Sequence, residues 1–202
     1  MFGLKSVYFY LIACQITLVK FFKKFGLELI DLQKVPTKGG SMRYYFQNVN
    51  ANRSVKPHVV EWLNDEIVNG LHDIKTYKSY ELQIENRKNE CLEVLQTLVD
   101  ENASIIGYGA SATSTTLIHH FGLHNYLDYL VDDNPAKIGT YSPGLHLPVK
   151  PSSVLNSLNP TAVLILAWRF TDTITNKHQS YLKGGGTFIQ PLPNLKIFKK
   201  LL

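Results

Sequence analysis

"IIGYGASATSTTLIHHFGL", Ile105 to Leu123, decides how this chain is read. An apolar run enters the turn Gly107-Tyr108-Gly109, and a stretch of helical character follows. Gly107-Tyr108-Gly109-Ala110-Ser111-Ala112 fits G-x-G-x-x-A, placed between a strand and a helix as a dinucleotide fingerprint requires. Glycine lets a backbone approach a phosphate closely, and the N–H groups and dipole at a helix start attract its charge. Ser111, Thr113, Ser114 and Thr115 add hydroxyl donors, and Asp132 and Asp133 follow Gly109 by 23 and 24 residues, near where an acid bonds a ribose hydroxyl. The same turn also suits some other phosphate. Equally, it suits a plain joint in which small residues pack and a hydroxyl caps the helix. No hydride-transfer partner stands elsewhere in the chain.

The flanks extend the pattern. "YELQIENRKNECLEVLQTLVDEN", Tyr80 to Asn102, sets Ile84, Cys91, Leu92, Leu95, Leu98 and Val99 at helical spacing with charges between them. Strands are expected over 104–108 and 126–131, a helix over 111–121, and a helical turn at "SSVLNSL". "TAVLILAW", Thr161 to Trp168, is apolar throughout, as the central strand of a parallel sheet is. A helix to about Lys183, a Gly184-Gly185-Gly186 stop and the strand "TFIQPL" close the series. Strands alternating with helices imply right-handed crossovers and a parallel sheet. Residues 100–202 are therefore expected to form a small Rossmann-like α/β domain.

Towards the N-terminus, residues 6–25 read as a helix closed by Gly26. "LELIDLQKV" alternates like a strand, Pro36 to Gly40 is a turn, and "SMRYYFQNV" is a second strand. Helix, strand, turn and strand over residues 1–50 make a sheet corner, too small to bury two faces alone. Residues 51–99 read as a helical connector, broken and polar to about Tyr77 apart from a short helix near His58 to Leu71.

Bulk properties narrow the function classes. With 202 residues, 45% hydrophobic and 18% charged, the chain has the composition of an ordinary globular protein. The net charge of +5 gathers largely in Lys20 to Lys24 and Lys196 to Lys200. Both clusters interleave with apolar residues as amphipathic helix ends do, which argues against nucleic acid as a partner. Cys14 and Cys91 stand far apart. His119, His120 and His124 point to different faces of a helix and its loop, so no metal site is expected. The apolar run Val7 to Val19 is shorter than the roughly 20 residues that span a bilayer. It lacks a small-residue cleavage site. A buried helix, no membrane and a cytoplasmic location are the expectations.

Four separated segments, "GYGASATSTTL", "YLVDDNPAKIGTYSPGLHLPV", "VLILAWRFTDTI" and "YLKGGGTFIQPLP", resemble in order and spacing the C-terminal domain of nucleotide-sugar C-methyltransferases. "FGLELIDLQKVPTKGGSMRYYF" resembles the last strands of the S-adenosylmethionine-binding domain that precedes it, so residues 1–50 read as the remnant of a class I methyltransferase domain. The likeness covers nearly the whole chain from about Tyr8. It implies a role in methylating a sugar carbon beside a ketone: a base removes the acidic proton, and the enolate attacks the cofactor's methyl group. In this pattern the C-terminal domain packs on the cofactor domain and helps to shape the nucleotide-sugar cleft.

Phosphate or nucleotide contact is expected at Gly107, Gly109, Ala110 and Ser111 of the turn, and the resemblance adds Asn134, Gly144 and Trp168 because they stand in the shared segments. It also carries departures. The zinc domain and the cofactor's glycine loop would precede Met1, and a His-Glu-His segment would fall at Gly3-Leu4-Lys5, which has neither histidine nor carboxylate. Lys38 stands where a histidine is common, Arg169 replaces an asparagine and Thr173 an acid. Hence no catalytic residue is assigned, S-adenosylmethionine is expected to bind upstream rather than on this chain, and the chain is expected to be inactive alone. The expected ligand is a nucleotide-diphosphate sugar, and a separate methyltransferase chain or a second copy would cover the apolar face of residues 1–50. The alternative is a stand-alone NAD- or nucleotide-binding module, or a non-catalytic partner of a methyltransferase.

Overall fold

The computed structural model describes residues 15–36 and 40–199. The chain divides into two compact units, one running to Glu81 and the other from Leu82. In the first, helix α1 (Gln15–Lys23) leads through Gly26 into the antiparallel hairpin β1 (Leu27–Val35) and β2 (Ser41–Asn48). Helix α2 (Pro57–Val68) follows, and α3 (Ile74–Asp100) begins in this unit and continues into the next. Leu18, Leu29, Leu32, Tyr44 and Val59 form its core, with Phe22, Phe46 and Trp62 against them. The buried Glu66 carboxylate of α2 accepts the N–H groups of Gln15 and Ile16 at 2.6 and 3.0 Å, capping the start of α1 from a neighbouring helix. The expected helix before Gln15, the Gly3-Leu4-Lys5 segment and Lys38 lie outside the described residues.

The second unit is a six-stranded sheet in the order β5-β4-β3-β6-β7-β8. Its parallel strands are β3 (Ile105–Tyr108), β4 (Leu130–Asp132), β5 (Val149–Pro151), β6 (Ala162–Ile165) and β7 (Thr187–Gln190), and β8 (Lys196–Phe198) pairs antiparallel on β7. Helices α4 (Ala112–Phe121), α5 (Val154–Leu158), α6 (Thr171–Lys177) and α7 (Gln179–Lys183) fill the crossovers. Side chains alternate across the sheet. Ile105 and Leu164 pack with Leu95 of α3 and Leu117, Ile118 and Phe121 of α4. Ile106, Tyr108, Val163 and Ile165 pack with Leu155 of α5, Ile174 of α6 and Tyr181 of α7. The α/β class and the central place of the 161–168 run follow the expectation, because a strand covered on both faces must be apolar at every position.

Four details differ. The strand expected over 126–131 is only three residues long, since a 3-10 turn at Leu123–Asn125 delays it. Val149–Pro151, unforeseen, pairs at the edge next to β4, where a proline at its end costs no ladder bond with a further strand. The last helix is broken at His178 into α6 and α7. Lys196 to Phe198 are an exposed edge strand, not a helix end, and lysine on an edge discourages further pairing. Leu95 is fully buried between α3 and the sheet. Leu95→Ala is expected to destabilise the second unit by about 2–5 kcal/mol, read as an early transition in urea denaturation. A change under about 0.5 kcal/mol would mean that α3 does not belong to that core.

Candidate functional site

The chain order places the reversal of the sheet between β3 and β6: β4 and β5 are added on one side of β3, β6 and β7 on the other. In open α/β sheets the crevice outside the carboxyl ends of the strands at such a point is where ligands bind. The turn Gly107 to Ser111 lies there, as do the segments that follow β4 and β6.

The turn is wired internally. Gly107 N–H donates to Tyr129 O at 3.0 Å, and a Cβ on Gly107 would lie 2.6 Å from Leu130 and 2.7 Å from Leu166. Glycine is needed here for core packing. Gly109, at φ +109°, donates to Val131 O at 2.8 Å, and a Cβ there would meet Ala167 Cβ at 2.8 Å. Its role is to let the turns after β3 and β6 touch. Ala110 N–H donates to the Asp132 carboxylate at 2.7 Å. Ser111 is the N-cap of α4, its Oγ accepting from Ser114 N–H at 3.2 Å. Ala112 and Thr113 open the helix, both exposed, and their N–H groups meet no acceptor among the described residues.

Asp132 thus occupies the place an anion would take. Its other contacts are Asn134 N–H at 2.9 Å and the Lys137 ammonium at 3.0 Å. Burial pushes its carboxyl up, but the Ala110 and Asn134 N–H groups and Lys137 outweigh that and hold it below the usual carboxylate range. Asn134 in turn caps a short 3-10 turn, its Oδ1 accepting from Ala136 N–H at 3.0 Å. Trp168 begins the segment after β6, half-buried against the α4 side of the core, with the Arg169 guanidinium 5.1 Å from its ring centre. Gly144 is apart from these. It lies on the β4–β5 connection, where a Cβ would come within 3.2 Å of the His119 ring, about two helical turns beyond Ser111. His120 instead faces Glu85 at 3.9 Å, and no metal-binding cluster of histidine, cysteine or carboxylates occurs among the described residues.

On the other face of the sheet a polar cluster gathers that no sequence spacing announces. Asp133 accepts from Tyr108 Oη at 2.8 Å, from Lys177 Nζ at 2.5 Å and from Ser152 Oγ. Tyr108 Oη is also 3.1 Å from His178 Nε2, at the break between α6 and α7. Burial raises the Tyr108 phenol, and the Asp133 carboxylate adds to it. Burial lowers His178, helped by Lys177, and because the Tyr108 hydroxyl gives its proton to Asp133, its oxygen is left to accept from His178 in the tautomer that carries the proton on Nε2. Burial also pushes Asp133 up, but the bonds from Lys177, Ser152 and Tyr108 prevail and hold it at about 2. A carboxyl depressed on folding stabilises the fold above its unfolded value, roughly 3.9, and that stabilisation is lost as pH falls towards 2. Unfolding midpoints in denaturant are therefore expected to fall between pH 4 and 2 for the native chain, and less steeply for Asp133→Asn. Equal slopes would show that this carboxyl is not coupled to folding.

The chain is 26% identical over 182 residues to the C-methyltransferase NovU of Streptomyces niveus, an alignment covering 90% of this chain and 43% of that protein. The chain thus spans less than half the length of that relative. Residues 36–193, well over half of the chain, match the family described as the C-methyltransferase C-terminal domain, and the chain belongs to that family.

Proposed function

We propose that this chain acts as the C-terminal part of an S-adenosylmethionine-dependent C-methyltransferase on nucleotide sugars, shaping the sugar-nucleotide cleft and carrying out no methylation alone. The observation that carries the reading is the first turn of α4 at the sheet's switch point. There the exposed Ala112 and Thr113 N–H groups remain open while those of Gly109 and Ala110 are already bonded. The diphosphate is held at Ser111 to Thr113, with Trp168 and Asn134 bordering from the adjacent turns. S-adenosylmethionine, whose sulfonium carries the transferable methyl, finds no cradle at the glycine turn: the Gly109 and Ala110 N–H groups are bonded and Ala167 fills the space beside Gly109. No methyl-transfer step is assigned to these residues, and the cofactor is held elsewhere. The stand-alone NAD module is disfavoured because both acids expected near a ribose are engaged, Asp132 by Ala110, Asn134 and Lys137 and Asp133 by Tyr108, Ser152 and Lys177.

Gly109→Val is a poor test, since the turn itself would distort against Ala167. Ala112→Glu places a carboxylate at the first helical position, which the helix dipole tolerates or favours by a few tenths of a kcal/mol while repelling a phosphate. Titrating a nucleotide-diphosphate sugar is expected to show weak saturable binding, at least tenfold weaker in Ala112→Glu with unchanged thermal stability. NAD binding tighter than the sugar nucleotide would reverse the ranking, and binding of neither would leave the turn as packing.

The same calorimetry with S-adenosylmethionine is expected to show no saturable binding at micromolar concentrations, and a clear isotherm would overturn the placement of the cofactor. A separate methyltransferase chain or a second copy is the proposed partner of the first unit. There Phe21, Phe25 and Val49 stay exposed beside the bond from Val49 N–H to Gly26 O (3.0 Å). Sedimentation is expected to show self-association that Phe25→Ser reduces, and a strictly monomeric chain without a partner would count against it.

A further inference from the structure

The β1–β2 hairpin has a polar face that the methyltransferase reading does not use. In "LELIDLQKV" two apolar residues, Leu29 and Ile30, stand side by side, and the ladder absorbs the extra one as an irregularity: Leu29 opposes Phe46 and Asp31 opposes Tyr45. Beyond this bulge the strand regains its alternation. Leu29 and Leu32 enter the core, and Asp31 comes to lie across from Tyr45 on the opposite face.

The loop between β2 and α2 is pinned over that face. The buried Gln47 side chain donates to Arg53 O at 2.8 Å and to Glu28 Oε1 at 2.8 Å, and accepts from Arg53 N–H at 3.3 Å. Lys56 N–H donates to Ile30 O at 2.9 Å. Between loop and strand is an open cavity of about 420 Å³, walled by Asp31, Tyr45, Asn52, Arg53, Ser54 and Lys56. The one carboxylate in the wall is engaged, Asp31 Oδ1 lying 2.7 Å from His58 Nε2 and accepting Leu32 N–H at 2.8 Å. Arg53 and Lys56 make no ion pair among the described residues.

We propose that this cavity is a second ligand site, one that takes the phosphate group of a small phosphorylated molecule. Arg53 offers a planar fork for two phosphate oxygens and Lys56 a point charge beside it. Asn52 and Ser54 supply neutral hydrogen bonds, and the tether through Gln47 and Ile30 fixes the backbone that carries both cations, which reduces the ordering that binding requires. The site stands in the first unit and is independent of the turn at α4.

Inorganic phosphate is the probe, titrated into the full chain at constant ionic strength and followed by amide NMR shifts, so that residues 51–56 and residues 111–113 report separately. Saturable shifts at 51–56 are expected, weakened at least tenfold in Arg53→Gln/Lys56→Gln with the fold unchanged by circular dichroism. Asp31→Asn is expected to tighten binding, because it removes a like charge from the wall while an amide can still meet His58. No saturable shift at 51–56, or shifts indifferent to the double substitution, would overturn the proposal. So would weaker binding in Asp31→Asn, which would mean that the carboxylate itself receives the ligand.

Discussion

One buried carboxylate organises the carboxyl end of the sheet. Asp132 closes β4 and takes the Ala110 N–H of the neighbouring turn, its own Asn134 N–H and the Lys137 ammonium. In a low-dielectric position an unpaired carboxylate is costly, whereas one with three donors rigidifies what it joins. The tie locks the turn after β3 to the turn after β4, and Gly109 seats the same turn against Ala167 after β6. Three segments that would otherwise move separately become one wall. The consequence for binding is specific: a protein anion occupies the place nearest the glycines, and the donors left open begin at α4.

The second face depends on the same strand. Because β3 alternates, Gly107 looks towards Leu127, Leu130 and Leu166, and Tyr108 looks towards Asp133, Ser152 and His178. A single turn therefore has a packed apolar underside on one layer and a hydrogen-bonded polar cluster on the other. His178 is where α6 gives way to α7, so the break in the helix brings an imidazole to the phenol. Lys177, one residue earlier, reaches Asp133.

The first unit obeys a different constraint. A two-stranded hairpin has little surface to bury and becomes stable only when something covers one side. Here α1 and α2 cover the face of Leu29, Leu32 and Tyr44, and the bulge at Ile30 corrects the strand's alternation so that this face stays apolar. The opposite face is left for the loop of residues 51–56, and the cavity is the space between them.

The alternation of apolar strands with helices, the fully apolar 161–168 run, the glycines at the turn and Ser111 before a helix were legible without coordinates. Each expresses a local rule: periodicity, backbone freedom or capping. The parts that escaped depend on partners distant in sequence. Val149–Pro151 is too short to show a period and is a strand only because β4 lies beside it. Gly107 and Gly109 read as ligand glycines, and only the neighbouring Leu130, Leu166 and Ala167 show that packing already demands them. Tyr108, Ser152 and the adjacent pair Lys177 and His178 come from three parts of the chain separated by more than 20 residues and share no spacing. By itself the sequence determined the class of fold and where a helix start would meet the sheet. Only the tertiary structure decided which of its N–H groups remain open, because hydrogen bonds between segments about 20 residues apart in sequence occupy the others.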